Sequence, residues 1–174
     1  MKRLAATILT LLLSLGAFAQ GLELLDRVSG HRVSFSYTYS LSRDGGAFDS
    51  VTSGTVLMEG NAYTMEGLGL KVTSNGATRL SVDPEAREAV IEKVEKEDIF
   101  TNPALFISSY KNYLDRIKVN SSGKDCLDVN LTLDEDTVAR FVIKDVVLMG
   151  MQGTEDFSTD TGSLPSDYLI TDLR

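Results

Sequence analysis

The residues able to do chemistry in this chain are few and poorly spaced for it. His31 is the only histidine and Cys126 the only cysteine, and there is no G-x-S-x-G, H-E-x-x-H, C-x-x-C or phosphate-binding glycine loop. The arrangements that activate a nucleophile, a zinc-bound water or a phosphoryl group are therefore missing. His31 reads as a polar residue at a helix–strand junction. Cys126, between Asp125 and Leu127, reads as a small apolar residue at the start of a strand. Asp156, Ser158 and Asp160 alternate like the first ligands of a calcium loop, but Gly162 falls one position late and no glutamate closes the loop, so this stretch reads as solvated. The sequons at Asn120 and Asn130 matter only in a source that glycosylates. No catalysis, metal or cofactor is expected.

What remains is apolar. Residues 32–42 read R-V-S-F-S-Y-T-Y-S-L-S, so Val33, Phe35, Tyr37, Tyr39 and Leu41 alternate with small or charged polar residues. A period of two held over that length specifies a strand with one greasy face and one wet face. A sheet of such strands must cover its aromatic face with another sheet, a helical lid or an apolar ligand. Phe35, Tyr37, Tyr39, Tyr63, Met65, Phe100, Phe106, Tyr110 and Tyr113 are available to do this. They could fill a core or wall a lipid cavity, and their types alone leave both open.

The elements that would position them follow from spacing. Leu22, Leu24, Leu25 and Val28 predict a short amphipathic helix ended near Gly30. After the opening strand, Asp44-Gly45-Gly46 is a flexible turn, and strands are expected over 51–59, 62–66, 68–72, 78–82 and 88–94, with Ser74-Asn75-Gly76 as the strongest hairpin signal. This is an antiparallel meander with the strand spacing of a barrel or sandwich. The period then changes: Thr101 or Asn102 can cap a helix that starts at Pro103 and runs to about Leu114, placed to lie across the sheet. Strands resume at 127–133 and 137–149, residues 150–166 read as loop, and Tyr168, Ile170 and Leu173 suggest a last edge strand.

Bulk properties bound the surroundings. Residues 1–19 have the parts of a secretory signal: Lys2 and Arg3, an apolar stretch to Phe18 and the small-residue exit Ala17-Phe18-Ala19. The apolar stretch is short for a bilayer span of about 20 residues, so cleavage before Gln20 and export of a soluble chain are expected. Residues 20–174 then form a single domain. Losing Lys2 and Arg3 takes the net charge from −8 to −10, which argues against nucleic acid and anionic membrane surfaces as partners.

The segment from Gly54 to Tyr113 resembles the LolA family of periplasmic lipoprotein carriers. The residues that carry the resemblance are Gly54-Thr55-Val56-Leu57-Met58-Glu59-Gly60-Asn61-Ala62-Tyr63, Ser74-Asn75-Gly76, Val82-Asp83-Pro84-Glu85, Glu88-Ala89-Val90-Ile91 and Asn102-Pro103, with Ile170-Thr171-Asp172-Leu173-Arg174 similar to the D-L-R terminus of one branch. Between Ser122 and the C-terminus the chain is roughly one hairpin shorter than typical relatives. The resemblance implies an α+β fold, an incomplete antiparallel β-barrel (half-barrel) with an inserted helical lid. It implies a non-enzymatic periplasmic monomer that takes lipoprotein acyl chains from an inner-membrane ABC-type release complex to an outer-membrane acceptor. The expected cavity residues are Phe35, Tyr37, Tyr39, Met58, Tyr63, Met65 and Leu80 from the sheet, with Phe106 and Tyr110 from the lid. Two alternatives stand beside it: a lipid- or lipoprotein-sensing regulatory domain of the same fold, and an interaction module with a filled core.

Overall fold

The computed structural model describes residues 22–95 and 102–174; the expected signal peptide, Phe100 and Thr101 lie outside the described residues. Helix α1 spans residues 22–29 and buries Leu24, Leu25 and Val28 on one face, as their three- and four-residue spacing requires. It ends where the His31 amide bonds back to the Val28 carbonyl, with His31 Nδ1 2.7 Å from the Arg27 carbonyl. The histidine is thus a helix-terminal residue.

The strands that follow are β1 (Arg32–Arg43), β2 (Asp49–Glu59), β3 (Ala62–Gly67), β4 (Leu70–Ser74), β5 (Thr78–Asp83) and β6 (Glu88–Lys93). Helix α2 (Pro103–Ser109) and a 3-10 stretch (Tyr110–Arg116) come next, then β7 (Ile117–Ser122), β8 (Leu127–Thr132), β9 (Thr137–Met149) and β10 (Leu169–Asp172). All ten form one sheet in the order β10-β6-β5-β4-β3-β2-β1-β9-β8-β7. The pairing is antiparallel except for β10 on β6, and the two end strands do not meet, so the barrel is incomplete. This is an α+β fold with the central strand β1 as its spine.

Residues directly opposite one another in neighbouring strands point to the same face. The register Phe35↔Val56, Val56↔Met65 and Met65↔Val72 therefore defines an inner face that is apolar from β1 to β4. Ala139, Phe141 and Ile143 of β9 and Leu127, Val129 and Leu131 of β8 extend it the other way, every one at most 2% exposed. Helices α1 and α2 pack on this face.

On β5 the apolarity changes sides. Val72 pairs with Ser81, so Leu80 and Val82 lie on the outer face, where Ala89 and Ile91 of β6 join them under Leu164 and Tyr168. Residues 150–168 form a belt across that outer face. Arg32 is 5% exposed, and its guanidinium lies 2.7 Å from Asp156 and 3.7 Å from the buried Glu59 carboxylate, which in turn accepts from the amides of Gln152 and Gly153. Phe157 is buried beneath the guanidinium, and Thr159 bonds Thr78 at 2.8 Å. The stretch expected to be solvated is therefore fastened by a buried ion pair, and Asp160 caps a short 3-10 turn by accepting from Gly162.

Three further differences have local causes. The helix expected to reach Leu114 is α-helical only to Ser109; the chain then tightens into a 3-10 stretch broken at Tyr113 (φ −131°, ψ 21°) so that it can turn into β7. β7 itself escapes a period-of-two reading because only Ile117 and Val119 of its six residues are apolar. An extra residue in β2 shifts the register between Tyr39 and Ser40; beyond it Leu41 stays on the inner face opposite Ala139 but only half-buried, while Ser42 on the other face is buried, its hydroxyl donating to the Gly46 carbonyl.

Candidate functional site

The inner face is closed by a short helix that has no ladder of backbone bonds to the sheet. Asn102 caps α2, its Oδ1 accepting from the amides of Ala104 (2.9 Å) and Leu105 (3.2 Å), while Pro103 supplies a fixed φ where no amide is needed. The other end of the same side chain, Nδ2, donates to the Tyr63 hydroxyl on β3 at 2.6 Å. Pro103, Ala104, Leu105, Phe106 and Ile107 are all buried, so the helix presents apolar surface nearly all round. Phe106 is fully buried and stacks on Phe141 with ring centroids 5.1 Å apart, and Phe141 lies 5.1 Å from Tyr39. Helix and strand spine are thus joined by a row of three rings.

The far end of the lid is tied to α1. Tyr110 Oη donates to Asp26 Oδ1 at 2.7 Å, and Lys111 Nζ reaches the same oxygen at 2.7 Å. The lysine and the tyrosine hydroxyl hold the Asp26 carboxyl below its ordinary range. Burial, reinforced by the aspartate, pushes the Tyr110 hydroxyl up. Both partners therefore keep the protonation that the contact needs throughout neutral pH.

Past the edge of the lid an apolar pocket of about 180 Å³ stands open. Tyr37, Tyr39, Met65 and Val72 form its wall, and Val51, Leu68 and Leu70 its exposed rim. Gly67 in its lining faces Gly54 across β2 and β3. A Cβ on Gly54 would stand 1.7 Å from the Glu66 carbonyl oxygen, so β2 cannot carry a side chain there, and one on Gly67 would stand 2.7 Å from the Tyr37 hydroxyl and push it aside. Tyr37 bonds the Thr52 side chain, and burial raises the hydroxyls of both Tyr37 and Tyr39, which stay neutral.

Of the nine residues expected to line a cavity, Phe35, Tyr37, Tyr39, Met58, Tyr63, Phe106 and Tyr110 meet in one buried cluster, and Met65 packs against it half-buried. Leu80 does not join them; it belongs to the separate outer-face cluster, because the register places Ser81 on the inner side of β5. Sequence reading missed Leu24 and Leu25 of α1, Val72 and the glycine pair. The first three carried a usable signal in their periodicity, whereas the glycines acquire meaning only once Gly54 is known to face Gly67.

Among the described residues no group of three or more His, Cys, Asp or Glu side chains could hold a metal ion, and no helix is long and apolar enough to cross a membrane. No family model matches the chain, and no curated protein sequence matches it. Among solved structures it is similar to a LolA superfamily protein from Nitrosomonas europaea, with 11% identity over 81% of this chain and 98% of that one and a TM-score of 0.45. It is also similar to an uncharacterized conserved protein from Thermus thermophilus, with 8% identity over 87% of this chain and 98% of that one and a TM-score of 0.48.

Proposed function

We propose that this protein is a carrier of acyl chains that binds without catalysis, sheltering them between the inner face of its open barrel and the displaced helix α2. The observation that carries this reading is the form of the cover: an aromatic sheet face closed by a seven-residue helix, with an apolar pocket standing open beside it. A seven-residue helix is about 10 Å long and about 10 Å across, so its departure frees on the order of 800 Å³. That falls within the roughly 300–1,000 Å³ typical of ligand sites, whereas the standing pocket alone falls below it.

An acyl chain of about 16 carbons gains roughly 12 kcal/mol on leaving water. A carrier must match much of that gain and still release its cargo. A lid that occupies the site when it is empty meets both needs, because incoming carbon replaces helix carbon and only the difference remains as affinity. The ordered motifs that resemble the LolA family give the cargo its class: lipoprotein acyl chains, taken by a periplasmic monomer from an inner-membrane release complex to an outer-membrane acceptor.

The test is uptake of a fluorescent fatty acid by delipidated protein. Saturable binding that Tyr37→Asp weakens at least tenfold supports the carrier reading. Absence of saturable uptake identifies the aromatic cluster as a filled core. Native mass spectrometry of protein purified from its own envelope would name the cargo directly.

A further inference from the structure

The pocket beside α2 has features that the closed cavity does not need, and they bear on the direction in which cargo arrives. It is open while the lid is shut. At about 180 Å³ it holds about six methylenes, if each takes roughly the 30 Å³ of a liquid water. Its wall is the row of rings that the lid completes: Tyr39 lies against Phe141, and Phe141 against Phe106. Its polar side chains are the hydroxyls of Tyr37, Tyr39 and Thr52, and none of its lining residues is charged, so it offers no cation to a carboxylate or phosphate. A charged headgroup placed there would lose its hydration without gaining a countercharge.

We propose that this pocket is a receiving subsite for the methyl end of an acyl chain, so that cargo enters tail first and displaces α2 only after its terminal carbons are seated. The proposal rests on the carrier reading and deepens it. Seating of the chain end puts carbon against Tyr39, one ring away from the stack that holds the lid. Continued insertion then exchanges Phe106 for methylenes on the same surface. A chain presented by its head has no such intermediate.

The discriminating pair of probes is hexadecanoic acid and hexadecanedioic acid, which share a chain length but differ in having one or two charged ends. Stopped-flow uptake by the delipidated protein is expected to be at least 50-fold slower for the diacid. Leu70→Trp, at the rim, is expected to slow hexadecanoic acid about tenfold without changing the amount bound at saturation. Octanoic acid is expected to bind saturably and to leave the hydrogen-exchange protection of residues 104–109 unchanged, whereas hexadecanoic acid lowers it. Equal rates for the two C16 probes, with Leu70→Trp indistinguishable from wild type, overturn the receiving subsite while leaving the carrier reading intact. If hexadecanoic acid fails to bind and octanoic acid still does, the pocket is a small-ligand site and it is the carrier reading that falls.

Discussion

Replacing Phe106 with alanine separates a lid from a core residue, because the two predict opposite changes in binding. Phe106 is fully buried and stacked on Phe141, so truncation costs the closed form about 3–5 kcal/mol. What matters is how strongly closure is favoured to begin with. Leu105, Phe106, Ile107 and Tyr110 are each buried to 9% exposure or less, and at about 2 kcal/mol apiece they contribute about 8 kcal/mol. Ordering a seven-residue segment opposes this with about 7–14 kcal/mol of backbone entropy, and the Asn102 cap returns about 1. These contributions cancel to within a few kcal/mol. The helix is therefore poised, and losing Phe106 tips it open.

A ligand that needs the open form binds with an affinity reduced by the fraction of molecules that are open. Abolishing a closure worth about 2 kcal/mol therefore tightens binding roughly 30-fold. The assay is titration of delipidated wild-type and Phe106→Ala protein with a fluorescent fatty acid, alongside thermal melts. For a lid, affinity rises and the melting temperature falls only by the worth of closure, about 4–8 °C. For a fixed core residue the whole 3–5 kcal/mol appears as a fall of roughly 6–20 °C, and binding stays the same or weakens. That second result would refute the reasoning.

Asn102→Ala removes the α2 cap and the bond to Tyr63 together; it should cost about 1–2 kcal/mol, seen as lost hydrogen-exchange protection confined to residues 104–109. Arg32→Ala leaves the Glu59 carboxylate buried without its cation, so urea denaturation should show a loss of about 3–5 kcal/mol, whereas Asp156→Ala, at the exposed end of the same network, should cost under about 1 kcal/mol. The Asp26 carboxyl has a folded pKa below its ordinary value of 3.8, so its contribution is fully present above that value and is lost as pH falls through the folded pKa. Exchange protection of α2, corrected for intrinsic rates, should therefore be flat from pH 8 to 5 and decline below about pH 4; a decline centred near neutral pH would point to another group.

Most of the sheet was legible because hairpin signals and alternation are local. Ser74-Asn75-Gly76 turns the chain where expected, with the Asn75 side chain accepting from the amides of Ala77 and Thr78, and β9 spans the residues its alternation suggests. What escaped depends on partners distant in sequence. The parallel pairing of β10 on β6 joins residues about 80 apart. The extra residue in β9 that resets its faces sits near Asp145, held at φ 56° without a glycine to announce it. Leu80 shows the limit most clearly: alternation establishes that Leu80 and Val82 share a face, but which face is decided by register transmitted across β2, β3 and β4.

The site was legible as an apolar surface and illegible as a closed one. Alternating aromatics in β1 require cover, and the chain supplies that cover itself with Leu105, Phe106 and Ile107. A helix of hydrocarbon side chains and an acyl chain offer the sheet the same chemistry, so no residue type on β1 can differ between a filled core and a site awaiting cargo. The difference lies in how the cover is attached. Two turns are far too few for a helix to persist in water by its own bonds, and α2 is held by packing, one cap and two tyrosine hydroxyls. Substitutions that loosen those attachments while sparing the sheet should therefore raise binding as they lower stability, a correlation of opposite sign to the one a core residue would give.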